Sequence, residues 1–424
     1  MNRTVERYLE RRTQSAQWPL EGDPSGPSRS IVVIPALGEY PGVMETLADL
    51  AACPESLDTL VIVVVNNRHP DAASAEDISL NRQTLEALQK WDSDRLRVTW
   101  VDASSPGLEL PEKEGVGLAR KLGLDAGLQI LADLDQLQTP LVCLDGDTRV
   151  DDDYLPALHR FFESPDRWAA ILSYAHPIEG DPQQQAAILC YEFFLRYHAA
   201  HLTWAGSPYG YHAIGSAMAC TGQAYAAISG MNRRQAGEDF YFLQQLAKTG
   251  SVDLVEGTTV RPSGRPSHRV PFGTGRRVQR FLDGEEHEYS LYHPASYEII
   301  RQWLQVAEGA PGTGEQLLAT AERIEPQLQS FLVGQKLAPA WDRMCQQSPT
   351  PDALRAQFHE WFDGFRTLKC IHYLRDSIHA DVPMFDAIDA LLERVEEVPA
   401  VEPNGSLVND LEGQKQLLAQ LRQL

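Results

Sequence analysis

The feature that most constrains this chain is a series of four short apolar runs separated by longer helical patterns. Each run is continuous rather than alternating, which is typical of strands buried on both faces of a parallel sheet. The runs cover residues 31–34, 60–65, 98–101 and 141–144, and the helical patterns between them cover residues 43–52, 80–91 and 115–134. This order predicts an open α/β sheet with right-handed crossovers. Ligands of such sheets bind beyond the carboxyl ends of the strands, so functional side chains are expected directly after each run.

Length and charge narrow the class of protein further. The chain has 424 residues, enough for two or three folded units. Its formal net charge of −22 repels nucleic-acid phosphates and anionic lipids, so no nucleic-acid role is expected. Six scattered cysteines without a CxxC pair indicate reduced thiols and favour a soluble, cytoplasmic protein. We expect no secretory signal and no transmembrane segment.

The predicted organisation follows breaks in these patterns. Residues 1–28 are interpreted as a helical arm and linker, residues 29–284 as an α/β domain and residues 285–405 as a helical domain. Within the α/β domain, 152–205 are predicted to be helical and 206–236 to be mainly loop. The aromatic stretch 191–198 is interpreted as a core-facing helix, with an acceptor-lining helix as the alternative. The amphipathic helix at 406–424 is suited to dock on the body or on a second copy, which would give a homo-oligomer.

The strongest local signal is Asp145-Gly146-Asp147, directly after the fourth apolar run. Two like charges this close need a cation to relieve their repulsion. Hard carboxylate oxygens suit Mg²⁺ or Mn²⁺, which then bridges to ligand phosphates. The alternative is a solvated acidic turn, which is our interpretation of residues 151–153. We predict a divalent metal at Asp145 and Asp147.

A strongly basic segment covers residues 261–280, with six arginines, one histidine and no acidic residue. In so acidic a chain this segment predicts an anion site, because arginine forks and loop amides suit a diphosphate. Its glycines and prolines predict a loop. Arg265 and Arg269 are predicted to bind the nucleotide diphosphate, and His268 is a candidate metal ligand. A solvated loop or a contact with a partner is the alternative.

The segment Gly237-Glu238-Asp239 is predicted to open a helix. Asp239 is a candidate general base for an acceptor hydroxyl, and Glu238 is assigned to the same catalytic group. The dipole of the helix is expected to lower the pKa of Asp239 and keep it ionised. The alternative is a purely structural role, because acidic residues are favourable at any helix start.

A weaker signal is the pair of glycines at positions 115 and 117, which opens the helix after the third apolar run. The free N–H groups of this helix start are predicted to hold phosphate. Lys113 and Arg120 flank the glycines and are predicted to bind the nucleotide sugar. No GxGxxG or Walker pattern is present, so dinucleotide and P-loop proteins are disfavoured.

Taken together, these motifs resemble those of family 2 nucleotide-sugar glycosyltransferases of the GT-A fold. The resemblance spans roughly residues 30–280, and its motifs are individually short but jointly specific. The segments that carry it, in the family's order, are residues 30–39, 61–67, 115–121, 145–147 and 237–239. Residues 35–41 and 267–273 are also similar to the matching segments of mannosylglycerate synthase-type enzymes.

The resemblance implies a GT-A domain followed by helices, a nucleotide-sugar donor and a hydroxyl acceptor. It implies that Pro35, Ala36 and Glu39 line the nucleotide. Asp145 and Asp147 would then hold Mn²⁺ or Mg²⁺, with His268 as the third protein ligand. Asp239 would face the acceptor.

Two departures from the family pattern qualify this expectation. Asn66-Asn67 follows the second strand where the family usually has Asp-Asp or Asp-Gly. Recognition of the base, in which Asn66 is expected to take part, is therefore expected to differ from the family's, and the nucleotide stays open. The processive Gln-x-x-Arg-Trp signature is absent, which disfavours a polymer-extruding synthase. The function predicted is a metal-dependent glycosyltransferase. The alternatives are a catalytically silent nucleotide-binding scaffold and a sugar-1-phosphate nucleotidyltransferase, whose Gly-rich signature is missing.

Overall fold

The computed structural model describes residues 3–13, 17–69, 72–92, 94–266, 273–284, 288–309, 312–395 and 407–424. Contacts divide the chain into two compact units. The first comprises Met1–Pro177 and Ala213–Arg276, and the second comprises Ile178–His212 and Arg277–Leu424. Residues 178–212, which the sequence placed in the α/β domain, therefore belong to the second unit. None of the helices in the described ranges combines the length and apolar character needed to cross a bilayer.

The first unit contains a nine-stranded sheet with helices between its strands. Its strands are β1 (Leu20–Glu21), β2 (Ser30–Ala36), β3 (Thr59–Asn66), β4 (Arg97–Ala103), β5 (Pro140–Cys143), β6 (Arg149–Val150), β7 (Ala169–Tyr174), β8 (Met218–Thr221) and β9 (Val252–Arg261). Its helices are α1 (Arg3–Arg12), α2 (Gly42–Ala52), α3 (Ala75–Leu88), α4 (Val116–Asp133), α5 (Tyr154–Phe162), α7 (Gly222–Ala227) and α8 (Glu238–Thr249), and a 3₁₀ turn spans Ser56–Asp58.

The sheet order is β1-β4-β3-β2-β5-β8-β7-β9-β6. Strands β2, β3, β4 and β5 pair in parallel, as do β7 and β9, while β8 runs antiparallel between β5 and β7. All residues of β2, β3 and β5 are buried, which explains why these strands read as continuous apolar runs. The structure confirms the predicted α/β class: a mostly parallel sheet flanked by helices, with further helices toward the C-terminus.

Five strands of this sheet were not predicted from the sequence: β1, β6, β7, β8 and β9. The prediction of helix throughout 152–205 was wrong at β7, and 206–236 contains β8 as well as loop. Both are short, with six residues in β7 and four in β8, and they are strands because each has a partner on both sides in the sheet. The segment 261–280 is also not a loop throughout: Arg261 ends β9, and α9 (Thr274–Leu282) is a helix.

The second unit is almost entirely helical. Its helices are α6 (Pro182–Trp204), α9, α10 (Pro294–Gly309), α11 (Gly314–Ile324), α12 (Pro326–Gly334), α13 (Leu337–Gln347), α14 (Pro351–Trp361), α15 (Gly364–Ser377), α16 (Met384–Val395) and α17 (Leu411–Leu421). A two-stranded ribbon of β10 (Ser290–Leu291) and β11 (Val382–Pro383) and a 3₁₀ turn at Leu407–Asn409 complete it.

Large aromatic side chains form the core of the helical unit. Trp303, Trp341 and Tyr297 are fully buried there. Phe193 and Tyr197 on α6 belong to the same core, which confirms that this aromatic helix faces the interior. Helix α17 packs against α6 within this unit. Oligomerisation through the C-terminal helix stays a prediction.

Candidate functional site

The Asp145-Gly146-Asp147 turn lies directly beyond the carboxyl end of β5. Its backbone is fixed by the Thr148 N–H, which donates to the Asp145 carbonyl at 3.1 Å. The hydroxyl of Thr46 on α2 lies 3.2 Å from the Gly146 carbonyl and 3.0 Å from the Thr148 carbonyl. Sequence reasoning missed Thr46, whose only signal was a hydroxyl on the buried face of a helix.

The same turn packs closely against the end of β2. A Cβ on Gly146 would lie 3.4 Å from the Pro35 carbonyl oxygen and from the side chain of Glu39. Ala36 is completely buried at the end of β2. The structure therefore brings the residues predicted for the nucleotide, Pro35, Ala36 and Glu39, next to the residues predicted for the metal.

Arg120 on α4 links the two acidic motifs. Its Nη2 lies 2.5 Å from Asp145 Oδ1, and its Nη1 pairs with Glu238 Oε1. The side chain is only 4% exposed. Gly215 makes room for it, because a Cβ at that position would lie 2.2 Å from Arg120 Nη2. Although burial opposes it, attraction from Asp145 and Glu238 raises the pKa of Arg120, so the guanidinium stays charged.

This geometry changes the assignment of Arg120. The sequence predicted that it binds the nucleotide sugar directly. In the structure its guanidinium is paired with the carboxylates of Asp145 and Glu238, because α4 places it next to the Asp145-Gly146-Asp147 turn. Arg120 is therefore better described as a positioning residue, which fixes Asp145 and Glu238 relative to each other.

The start of α8 places Glu238 against this arginine and Asp239 beside it in the chain. Gly237 precedes it with φ +70°, a left-handed conformation that glycine adopts without steric cost. Glu238 is 3% exposed, while Asp239 is half-buried and accepts the Phe240 N–H at 2.7 Å. Burial raises the pKa of both carboxyls, and Arg120 opposes that rise. The expectation that the helix end lowers the pKa of Asp239 was wrong, because desolvation outweighs the dipole.

A second arginine reaches the turn from the segment that follows β9. Arg265 Nη2 lies 3.0 Å from Asp147 Oδ2 and also pairs with Glu39 Oε2. Its side chain is 43% exposed. The structure thus places Arg265 at the predicted site, but against carboxylates. His268 and Arg269 lie outside the described residues, so their predicted roles as metal and diphosphate ligands stay predictions.

An amide network connects the ends of β2 and β3. Asn81 on α3 accepts the Gly38 N–H at 2.8 Å and donates to the Asn66 carbonyl at 2.9 Å and to the Asn67 side chain. Asn66 and Asn67 are both buried. This network holds the Gly38–Glu39 turn beside the site, and sequence reasoning missed Asn81, which sits in the middle of a helix.

The start of α4 is not the phosphate site that its glycines suggested. The Gly117 N–H donates to the Arg234 carbonyl at 3.2 Å, and a Cβ on Gly117 would lie 2.5 Å from that oxygen. The glycine is thus required for close packing of the 232–235 segment, and its N–H is already used. Lys113 is exposed in the preceding loop.

One turn further along α4, a buried polar cluster anchors the helix. Lys121 Nζ lies 2.9 Å from Asp125 Oδ2, and the hydroxyls of Tyr8 and Tyr225 donate to Asp125 Oδ1 at 2.6 and 2.8 Å. Tyr8 belongs to α1, so the N-terminal helix is attached to the helix that carries Arg120. This cluster supports the site without reaching it.

The donor set fits a divalent cation in part. Asp145 and Asp147 supply hard carboxylate oxygens, and the Arg265 guanidinium at Asp147 shows that this position accommodates positive charge. Within the described ranges no group of three His, Cys, Asp or Glu side chains is arranged to hold a metal ion. Two carboxylates with a nucleotide diphosphate as co-ligand match the preference of Mg²⁺ and Mn²⁺ for oxygen.

No family model matches the chain, and no curated protein matches it. Solved structures that match include S. aureus TarS 1-349 in complex with UDP-GlcNAc, at 13% identity over 79% of this chain and 91% of that one, with a TM-score of 0.39. The mannosyltransferase PcManGT from Pyrobaculum calidifontis in complex with GDP-Man and Mn²⁺ matches at 14% identity over 93% of both chains, with a TM-score of 0.35.

Glucosyl-3-phosphoglycerate synthase from Mycobacterium tuberculosis in complex with UDP matches at 14% identity over 73% of this chain and 85% of that one, with a TM-score of 0.33. TM-scores this low do not establish a shared fold. The assignment of function therefore depends on the residues of the site.

Proposed function

We propose that this protein is a metal-dependent glycosyltransferase that moves a sugar from a nucleotide-sugar donor to a hydroxyl acceptor. The observation that carries the proposal is the Arg120 guanidinium, which lies between Asp145 and Glu238. It brings the predicted metal carboxylates and the predicted base, Asp239, to one edge of the sheet. A sugar transferase needs both groups at one place, because the leaving diphosphate and the attacking hydroxyl meet at the same carbon.

The diphosphate side of the site is assigned to Asp145 and Asp147. These carboxylates would hold Mg²⁺ or Mn²⁺, which when bound neutralises charge that develops on the leaving diphosphate. Arg265 lies within contact of Asp147 and has a side chain long enough to turn toward a phosphate. Pro35, Ala36, Glu39 and Asn66 are proposed to form the nucleotide side, since all four lie at the ends of β2 and β3.

The acceptor side is assigned to Asp239. Glu238 is committed to Arg120, so its negative charge is balanced within the protein. Asp239 is half-buried, and its carboxylate is proposed to take the proton of the acceptor hydroxyl as the new bond forms. General-base help of this kind requires the ionised carboxylate, and Arg120 favours that form.

The first test is a thermal-shift screen of nucleoside diphosphates and sugar nucleotides with and without Mn²⁺. A ligand present at 100 times its Kd should stabilise the protein by about 2.7 kcal/mol. Release of nucleoside diphosphate from the sugar nucleotide that binds then separates an enzyme from a silent scaffold, for which no release is expected.

The second test compares Asp147→Ala with Asp152→Ala by calorimetric titration of UDP and GDP with Mn²⁺. Asp152 is an exposed acidic residue near the same turn and serves as the matched control. We expect Asp147→Ala to remove the metal-dependent part of nucleotide binding and Asp152→Ala to retain it. Equal affinity of Asp147→Ala and the parent would exclude the metal role of this carboxylate.

A further inference from the structure

Arg265 occupies the position of a cation between two carboxylates of the proposed site. Its Nη2 contacts Asp147 Oδ2 at 3.0 Å and pairs with Glu39 Oε2, so one nitrogen serves both acids. Asp77, in the first turn of α3, adds further attraction. The guanidinium therefore neutralises negative charge at the turn that was predicted to bind a metal.

The local structure around Arg265 allows its side chain to move away from Asp147 and Glu39. It lies in residues 262–266, which have neither helical nor strand structure, and its backbone N–H donates to the Ser263 hydroxyl at 3.3 Å. Its side chain is 43% exposed. Asp147 and Glu39 are less exposed, at 25% and 12%, so solvent weakens these ion pairs mainly by competing for the arginine.

Resting on the proposed function, we propose that Arg265 is an exchangeable internal cation that blocks the binding of a divalent metal until a nucleotide diphosphate arrives. A divalent cation at Asp147 and a guanidinium on the same carboxylate repel each other. A diphosphate offers the guanidinium new anionic partners, to which arginine forks are well matched. The metal and the nucleotide should then bind cooperatively, and each should raise the affinity for the other by the same factor.

This exchange explains a feature of the donor set. Two carboxylates without a third protein ligand among the described residues would hold free metal weakly. With Arg265 in place, that weak affinity falls further. The site would therefore be loaded by the metal–nucleotide complex rather than by metal alone, which prevents the acidic turn from trapping a cation when no donor is present.

The test measures the binding of Mn²⁺ alone, from the paramagnetic resonance signal of the free ion, to the parent protein, to Arg265→Gln and to Arg261→Gln. Arg261 is a matched control: it lies at the end of β9, is 42% exposed, and pairs with Asp151 at 2.6 Å. Both variants remove one positive charge from the same segment. We expect Arg265→Gln to bind Mn²⁺ at least about ten-fold more tightly than the parent, and Arg261→Gln to bind it like the parent.

A second arm repeats the titration with UDP or GDP present. The nucleotide should tighten Mn²⁺ binding strongly in the parent and in Arg261→Gln, and much less in Arg265→Gln. Equal Mn²⁺ affinity of Arg265→Gln and the parent would overturn the exchange while leaving the proposed function intact. The same holds if the nucleotide raises the Mn²⁺ affinity of Arg265→Gln and of Arg261→Gln by an equal factor. Absence of Mn²⁺ binding in the parent, even with each nucleotide, would count against the proposed function itself and against the exchange with it.

Discussion

The start of α4 and the segment that follows β9 each bring an arginine to the Asp145-Gly146-Asp147 turn, and the two arginines are held in different ways. Arg120 is 4% exposed on a long helix, whereas Arg265 is 43% exposed in irregular chain. Each guanidinium contacts one carboxylate of the turn and one other acid, Glu238 for Arg120 and Glu39 for Arg265.

The two arginines form similar ion pairs, so it is their burial that distinguishes a structural role from a role in ligand binding. A buried guanidinium with two carboxylates cannot leave without exposing uncompensated charge in the interior. A half-exposed guanidinium can leave, because water and ligand phosphates can replace its carboxylate partners. We therefore assign Arg120 to holding the site together and Arg265 to responding to ligand, and the following predictions test that division.

The largest effect is expected for Asp239, on the Arg120 side of the site. Asp239→Asn keeps the size and the hydrogen bond at the helix start but cannot accept a proton. Once an acceptor is known, turnover should fall on the order of 10²–10⁴, with nucleotide affinity nearly unchanged. Asp253→Asn, a similar change at a surface ion pair in β9, serves as the control. Near-full turnover of Asp239→Asn would reduce the residue to a structural role at the helix start.

Next in size is the loss of stability on removing each arginine. Arg120→Gln leaves Asp145 and Glu238 without their shared cation, and the free energy of unfolding should fall by about 3–5 kcal/mol. Arg265→Gln removes a half-exposed cation from Asp147 and Glu39 and should cost less, about 1 kcal/mol. Urea denaturation of both variants at neutral pH measures the difference. Similar losses in the two variants would remove the distinction between the two arginines.

The pH dependence of turnover should also distinguish Arg120 from Arg265. Burial raises the pKa of Asp239, and Arg120 opposes that rise. Activity that needs the ionised carboxylate increases as the pH rises through this pKa. In a folded Arg120→Lys variant, whose shorter cation is less well placed, the acidic limb should move to higher pH, while Arg265→Gln should leave it in place. A pH–rate profile from pH 4 to 8 is the measurement, and an unmoved limb in Arg120→Lys would contradict the coupling.

The smallest effect concerns the anchor beneath Arg120. Tyr8→Phe removes one hydroxyl from the Asp125 cluster, and Lys121 still pairs with Asp125 at 2.9 Å. The free energy of unfolding should fall by about 1 kcal/mol. Tyr373→Phe, at an exposed position in the helical unit, should change it by less than about 0.5 kcal/mol. Equal values for the two variants would show that the N-terminal helix does not help to anchor α4.

Much of the fold could be predicted because the buried strands β2, β3 and β5 leave continuous apolar runs. The run at β4 was also recognised, although this strand is buried only at alternate residues and not on both faces. Strands β2, β3, β4 and β5 and the helices between them follow from that pattern. Strands β7 and β8 could not be predicted in the same way, since β8 has only four residues and β7 begins with two alanines, which have little strand preference. Their extended conformation depends on neighbours that are distant in sequence.

The candidate site, like the fold, could be predicted from the sequence only in part. The acidic motifs and the basic segment were recognisable from residue type and spacing. The partners of Arg120 were not, because Asp145 and Glu238 meet only when the sheet has formed. The direction of the Asp239 pKa shift was missed for a related reason: the helix start is visible in sequence, while the depth of burial is not.

The most direct measurement is an anomalous difference map at the manganese edge, from crystals grown with Mn²⁺ and a nucleoside diphosphate that binds. We predict a manganese peak at Asp145 and Asp147, with Arg120 still between Asp145 and Glu238 and with Arg265 turned from Asp147 toward the diphosphate. Bound nucleotide with Arg265 still seated on Asp147, and without manganese at the turn, would contradict both the proposed site and the exchange.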